Sequence, residues 1–232
     1  MNRSSINWYK ISISGTIFIG GILIVLGTYF STISIMQVST SDILLKLKSN
    51  ETLSNQEISF LIEKKRLVSN LSSEGTLLQD LALAELAMAK RYGVFSEDGK
   101  KLLNYAKQNL EDGLRSSPAN SVGWLRLAYI NLLSLGASKE VSNAIYMSIN
   151  TAPYNYRIIH YRLGLAMVSW DYFSKDEKET LFQQMRIAWR WNKKKTIALI
   201  TSEKSITMFT KALRSSSDDV SEFNKMIAEL KF

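Results

Sequence analysis

The stretch LRSSPANSVGWLRLAYINLL, residues 114–133, places a proline six residues before a tryptophan that begins an apolar, helix-like pattern. Proline cannot continue a helix, so Pro118 predicts the end of one helix and the beginning of another. The only other proline, Pro153, follows thirty-five residues later. Because nearly equal spacing of such boundaries is typical of repeat proteins, the stretch predicts one period of a repeat.

Small and apolar residues flank the proline at helical spacing on both sides. Their order resembles the tetratricopeptide repeat, a pair of antiparallel helices with a length of about 34 residues. Gly113 stands where that repeat usually has a small alanine. An ordinary helical bundle is the alternative interpretation. The residues that the resemblance assigns to packing between helices are Ala106, Leu110, Gly113, Pro118, Trp124, Leu127, Ala128 and Pro153.

The rest of the chain predicts further helices, since a single helix pair would leave an apolar face uncovered. Two Ser-x-x-Glu capping boxes begin at Ser54 and Ser174, and Gly93 is typical of a helix C-terminus. We therefore predict an all-α fold, in which an N-terminal transmembrane helix precedes a tetratricopeptide-like helical-hairpin array. Besides the pair around Pro118, the predicted helices cover residues 55–71, 74–93, 155–172, 175–192, 196–214 and 217–230.

An uncharged, apolar segment lies between Lys10 and Asp42. A helix of about 24 residues is roughly 36 Å long, which is enough to cross a hydrocarbon core of about 30 Å. A cleaved signal peptide is the alternative, but the first alanine of the chain is Ala82, so the usual small-residue cleavage site is missing. The predicted organisation is a cytoplasmic tail at 1–10, a transmembrane helix at 11–36, a linker at 37–54 and a helical repeat-like domain at 55–232.

The flanking charges slightly favour a cytoplasmic N-terminus and an extracytoplasmic domain. Small residues on one side of the predicted span suggest a face for helix association and a possible homo-oligomer, although such residues are also simply common in membrane helices. This face consists of Thr16, Gly20, Gly27 and Ser31.

Composition argues against most catalytic chemistry. The chain has no cysteine and one histidine, His160, so thiolate chemistry and histidine metal clusters are excluded. The segment 93–101 lacks the spacing of a phosphate-binding loop. We therefore predict a non-enzymatic protein that has no cofactor, no metal site and no nucleic-acid partner.

Positive charge is concentrated in the C-terminal half, where residues 116–232 carry sixteen basic and ten acidic side chains. The segment RIAWRWNKKKT, residues 186–196, suits stacking on bases or sugars or contact with a membrane surface, but a buried Trp189 with a solvated helix end is the favoured interpretation. We predict a protein partner and the membrane as the binding partners of the chain. The candidate partner-binding residues are Tyr129, Tyr154, Tyr156, Tyr161, Arg162, Lys193, Lys194 and Lys195.

Three blocks extend the resemblance. LRSSPANSVGWLRLAY, SINTAPYNYRIIHYRLGLA and QMRIAWRW resemble successive parts of uncharacterised bacterial single-pass membrane proteins with a tetratricopeptide-like domain, some of them encoded with envelope polysaccharide biosynthesis. The resemblance implies a location in the bacterial inner membrane with a periplasmic soluble domain. It also implies a scaffold or adaptor that binds a component of polysaccharide synthesis or export. A direct glycan-binding protein or glycan-processing enzyme is the alternative.

Overall fold

The computed structural model describes residues 8–71 and 74–229, and within them the chain is all-α. The predicted fold class is confirmed: these ranges contain eleven α-helices, one short 3₁₀ helix and no strand. The chain divides into two compact units, the first ending at Ser72 and the second beginning at Ser73. The helices are α1 Trp8–Lys48, α2 Asn55–Ser69, α3 Gly75–Tyr92, α4 Glu97–Ser116, α5 Ser121–Leu135, α6 Lys139–Thr151, α7 Ile159–Val168, α8 Lys175–Trp191, α9 Lys193–Ile197, α10 Glu203–Leu213 and α11 Ser217–Glu229, with the 3₁₀ helix at Trp170–Tyr172.

The first unit is formed by α1 and α2, which contact each other. Most of the stretch predicted as a linker, 37–54, is instead the C-terminal part of α1, because no glycine or proline interrupts it and Lys46 pairs with Asp42 at 2.7 Å one turn earlier. Helix α1 ends before Asn50, which has a left-handed φ of 57°. The first unit includes α2 as well, so the boundary between the two units comes after α2. The sequence predicted a domain boundary at residue 54.

Helix α1 is long and apolar enough to cross a membrane. Its most apolar window has a mean hydropathy of 1.9, and none of that window is buried in the protein. A signal sequence has the same properties. Thr16, Gly27 and Ser31 are exposed and Gly20 is half-buried, so these positions are compatible with the predicted association face. The predicted tail at 1–10 lies mostly outside the described residues.

The second unit is an array of helical hairpins. Helices α3 and α4, α5 and α6, and α7 and α8 pack as successive pairs, and α4 also packs against α5 and α6 against α7. The first helices of the pairs contact each other as well, α3 with α5 and α5 with α7. Pro118 lies between the first two pairs and Pro153 between the second and third. Both prolines therefore separate helix pairs, as the sequence predicted.

The repeat-packing residues lie where the pairs meet. Ala106, Leu110 and Ala128 are fully buried in the main core, which extends from α3 to α8. Trp124 is only partly buried: it packs against the edge of this core, and its indole Nε1 donates a hydrogen bond to the Pro118 carbonyl at 2.8 Å. The tryptophan therefore fixes the turn between α4 and α5 rather than filling the centre of the core.

The C-terminal helices cover the last pair with a second core centred on Trp189. The Trp189 ring meets the Phe223 ring edge-on at 5.7 Å, and its Nε1 donates to the carboxylate of Asp219 at 2.9 Å. A terminal layer of this kind closes the apolar face that an array otherwise leaves open. The interpretation that Trp189 is a buried structural residue is thus confirmed.

Two predicted helices differ in extent from those observed. The predicted helix 196–214 is interrupted: α9 ends at Ile197, and α10 begins only after Ser202, whose hydroxyl accepts from the Ser205 N–H as an N-cap. The predicted helix 155–172 is shorter, because the chain first forms a turn after Pro153 and α7 begins at Ile159. Both differences place irregular backbone beside α7, where the candidate site lies.

Candidate functional site

An open groove of about 440 Å³ lies beside α7 in the second unit. The turn before α7 and α7 itself form one wall, and the end of α8 together with α9 forms the other. We call it the α7–α9 groove. Its aromatic and ionisable lining residues are Tyr156, Arg157, His160, Tyr161, Trp191 and Lys195.

Two aromatic rings from different elements stack in the groove. The Tyr156 ring lies nearly parallel to the Trp191 ring, with the ring centroids 4.3 Å apart and the planes 16° from parallel. Trp191 nevertheless stays 57% exposed, and Tyr161 beside it is 66% exposed. Large aromatic side chains that remain exposed after pairing offer flat apolar area to a ligand at low entropic cost.

The groove is cationic. Arg157 and Lys195 are exposed, and no aspartate or glutamate is among the described residues that line it. His160 is half-buried, with its Nε2 3.2 Å from the Thr196 hydroxyl. Burial lowers the pKa of His160, and the positive charge of Lys195 lowers it further. At neutral pH the imidazole is therefore uncharged, and the two exposed cations determine the charge of the groove.

Local sequence explains why these side chains converge. His160, Tyr161 and Gly164 lie on one face of α7, and Arg157 is in the turn immediately before this helix. On the opposite wall, Asn192 ends α8 and caps α9, its side-chain oxygen accepting from the Lys195 N–H at 2.9 Å. This cap begins a new helix directly after Trp191, and the Lys195 side chain of that helix lines the same groove.

A second cavity of about 360 Å³ lies further along the same face of α7. It shares Ala198 and Leu199 with the α7–α9 groove, so the two cavities adjoin each other. Its walls combine apolar side chains with those of Thr201, Ser202, Lys204 and Ser205, and Gly164 contributes no side chain to them. The apolar side chains that line it besides Leu199 are Met167, Val168 and Met208.

The structure brings together three of the predicted partner-binding residues, Tyr156, Tyr161 and Lys195. Tyr154 and Lys194 are exposed nearby but do not line the groove. The other predicted residues lie elsewhere or are already engaged. Tyr129 is on α5, where its ring lies 4.6 Å below the ammonium group of Lys90.

Lys193 has a structural environment that its two lysine neighbours lack. Its ammonium group pairs with the carboxylate of Glu222 at 2.5 Å and lies 5.3 Å from the centroid of the Trp189 ring. It therefore joins α9 to α11 across the C-terminal core. Only Lys195 of the three lysines lines the groove.

The prediction that Arg162 binds a partner is wrong, because its side chain is completely buried. The guanidinium donates to the Ser148 hydroxyl at 2.9 Å and to the Ala152 carbonyl at 3.0 Å, and also to the Ser148 carbonyl. Burial lowers the pKa of Arg162 to about 10, so the group stays charged at neutral pH. Arg162 therefore fastens the C-terminal end of α6 to α7, where a cation is favoured by the helix dipole.

Arg157 and His160 were not among the predicted binding residues, and Trp191 was considered only as part of the basic segment. The spacing of positions 160, 161 and 164 defines one helical face and is the signal that would have identified His160. The described residues contain no group of three acidic or histidine side chains arranged to hold a metal ion. The groove offers aromatic rings for stacking and positively charged side chains for ion pairing, and both kinds of contact suit the binding of a ligand.

No protein-family model and no curated protein matches the sequence. The resemblance to tetratricopeptide proteins and to envelope polysaccharide proteins accordingly stays a prediction.

Proposed function

We propose that this chain is a membrane-anchored, non-enzymatic adaptor whose helical-hairpin unit binds a segment of a partner protein in the α7–α9 groove. The single observation that carries this proposal is the groove itself, which the stacked Tyr156–Trp191 pair and two exposed cations line and in which the described residues include no acidic side chain. Exposed aromatic residues and arginine are the side chains that most often dominate protein interfaces. Apolar area and charge are therefore combined at one place.

The length and composition of α1 support the membrane part of the proposal. A tether of this kind confines the groove-bearing unit to the membrane, so that the effective concentration of a membrane partner is raised without any additional contact. We further propose that α1 lies in the bacterial inner membrane and that the helical-hairpin unit is periplasmic. The support for this orientation is the charge distribution around the apolar segment and the resemblance described above.

Protein is the favoured ligand class because of what lines the groove. A neutral sugar presents hydroxyl groups that protein sites usually satisfy with carboxylate or carboxamide oxygens, and the described lining residues include neither. By the resemblance, the partner belongs to the synthesis or export of an envelope polysaccharide. Direct binding of an acidic glycan is the second candidate function, because Trp191 and Lys195 also suit a charged sugar.

Quantitative co-purification from membranes tests the proposal. The full-length chain would be extracted in mild detergent and compared with the double variant Arg157→Glu/Lys195→Glu, which reverses the groove charge. Lys101→Glu is the matched control, since Lys101 is an exposed lysine on α4 outside the groove. We expect mass spectrometry to find at least one membrane or periplasmic protein that is lost from the double variant and retained by the control.

Two results would overturn the proposal. Identical protein profiles for all three chains would show that the groove does not bind a protein. Groove-dependent recovery of acidic oligosaccharide without any groove-dependent protein would instead support the glycan-binding alternative.

A further inference from the structure

We infer that the α7–α9 groove and the adjoining cavity form one binding channel for an extended protein segment, with acidic side chains at one end and an aliphatic side chain at the other. This inference rests on the proposed function, because it specifies the segment that the groove would bind. It adds a second half to the site and a direction to the ligand.

The two cavities adjoin each other along α7. Ala198 and Leu199 line both of them, and the residues that α7 contributes repeat every three or four positions along a single face. Helix α7 from Ile159 to Val168 is about 15 Å long at 1.5 Å per residue. An extended chain of roughly four to five residues covers the same distance.

The two halves of the channel differ in chemistry. Arg157 and Lys195 give the first half positive charge, and its exposed aromatic rings provide flat contact area. The second half is lined by Met167, Val168 and Met208, which suit an aliphatic side chain, and also by Thr201, Ser202 and Ser205, whose hydroxyl groups suit the backbone of an extended peptide.

The single lysine on the rim of the second half is already paired. Lys204 contacts the carboxylate of Asp171 at 3.0 Å, so its charge is offset there. The positive end and the apolar end are therefore distinct, and a ligand fits in one direction.

Gly164 keeps the second half open. A Cβ atom built at Gly164 would have its nearest neighbour, the Leu199 Cδ2 atom, at 4.0 Å. Alanine therefore fits without displacing an atom, whereas leucine would extend into the cavity. Both residues are better helix formers than glycine, so neither change is expected to unfold α7. Gly164→Leu and Gly164→Ala thus form a matched pair that tests occupancy of this cavity.

A display selection tests the inference. The full-length chain, held in nanodiscs of neutral phosphatidylcholine, would be used to select binders from a library of random linear peptides. Affinities of the selected peptides would be measured by fluorescence anisotropy for the original chain and its variants. We expect the selected sequences to share acidic residues and, three or four positions away, a Leu, Ile, Met or Val, with the same order of the two in all of the sequences.

The variants should separate the two halves. Arg157→Glu/Lys195→Glu should lower the affinity for these peptides roughly tenfold or more, because the attraction of the acidic residues is lost and a repulsion is added. Gly164→Leu should weaken them by a similar factor, as should Val168→Asp, which changes a 61% exposed residue of the cavity and so gives a second test that does not alter the core. Gly164→Ala and Lys101→Glu should leave the affinities unchanged.

The contrary results are distinguishable. If the peptides depend on Arg157 and Lys195 but bind Gly164→Leu and Val168→Asp normally, the channel inference is overturned while the proposed function stands. If no peptide is selected, or if the charge reversal has no effect, both are overturned. Selective binding of polyuronate oligosaccharides or of anionic vesicles by the same cations would likewise overturn both.

Discussion

Gly75 and Gly113 bring α3 and α4 into backbone contact. A Cβ atom at Gly75 would lie 2.6 Å from the Gly113 carbonyl oxygen, and a Cβ atom at Gly113 would lie 2.8 Å from the Gly75 carbonyl oxygen. Either distance is too short for any side chain, so each glycine is required by the other helix. This contact holds the first hairpin of the array together.

Gly113→Ala should therefore destabilise the helical-hairpin unit. The added methyl group meets backbone rather than a movable side chain, and overpacking of this kind costs about 1–3 kcal/mol in spite of the better helix propensity of alanine. Gly164→Ala is the control, because its surroundings are open and it should be neutral or stabilising by at most about 1 kcal/mol. Urea unfolding of the full chain in detergent, followed by circular dichroism, measures both. Equal stability of the two variants would contradict the close contact.

Arg162 should be important for stability although it cannot reach a partner. Its replacement by alanine leaves the Ser148 and Ala152 carbonyls without their donor and creates a cavity, so we expect a loss of about 3–5 kcal/mol in the free energy of unfolding. Arg162→Lys should recover part of this loss, because it keeps the charge but not the planar fork of donors. The same urea experiment applies. A change in the alanine variant of less than about 0.5 kcal/mol would show that the side chain is not buried as described.

The histidine in the groove gives a prediction on pH. Burial and the nearby Lys195 hold the folded-state pKa of His160 below its ordinary value of 6.5. The unfolded chain therefore binds a proton at a higher pH than the folded chain does. Stability should consequently fall as the pH decreases from above 6.5 through the folded-state pKa, and then level off.

Nuclear magnetic resonance can follow His160 directly, because it is the only histidine and gives one imidazole Cε1–H signal. We expect a titration midpoint below 6.5 and a smaller dependence of stability on pH in His160→Asn. A midpoint above 6.5 would contradict the cationic environment of the groove.

Lys193 and Lys195 should behave differently although they are two residues apart. Lys193→Gln removes the pair with Glu222 and the contact with the Trp189 ring, which are partly exposed, so it should lower stability by about 0.5–1 kcal/mol. Lys195→Gln should change stability by less than about 0.5 kcal/mol and should weaken partner binding instead. Thermal unfolding and the co-purification assay measure the two effects. The reverse assignment would show that Lys195 is the structural cation.

The sequence was sufficient to predict the all-α class, both capping boxes and the role of the two prolines, because these features depend on local spacing. Proline interrupts a helix in almost any context, so Pro118 and Pro153 indicate helix boundaries directly. The hydroxyl groups of Ser54 and Ser174 accept hydrogen bonds from backbone N–H groups three residues away. The extent of α1 was predicted less well. The polar composition of its C-terminal part predicts a linker, whereas an ion pair between residues one helical turn apart supports a helix there.

The candidate site could be predicted only in part, because it depends on which helices become neighbours. Tyr156 and Trp191 are thirty-five residues apart, and nothing in their local sequences indicates that their rings stack. Arg162 misled the prediction because it follows Tyr161 directly, yet on a helix the next residue points about 100° away and here enters the core. The helical periodicity of α7 would have assigned Tyr161 and Arg162 to different faces of the helix.

Site-specific photo-crosslinking in living cells tests the central claim most directly. A benzophenone amino acid would replace Tyr161, which is in the groove and 66% exposed, or Tyr92 at the end of α3, which is 51% exposed and outside it. The account predicts a discrete, protease-sensitive adduct from position 161 that disappears in the Arg157→Glu/Lys195→Glu background, with no such adduct from position 92. The same adducts from both positions, or an adduct from position 161 that persists after charge reversal, would contradict a partner-binding groove beside α7.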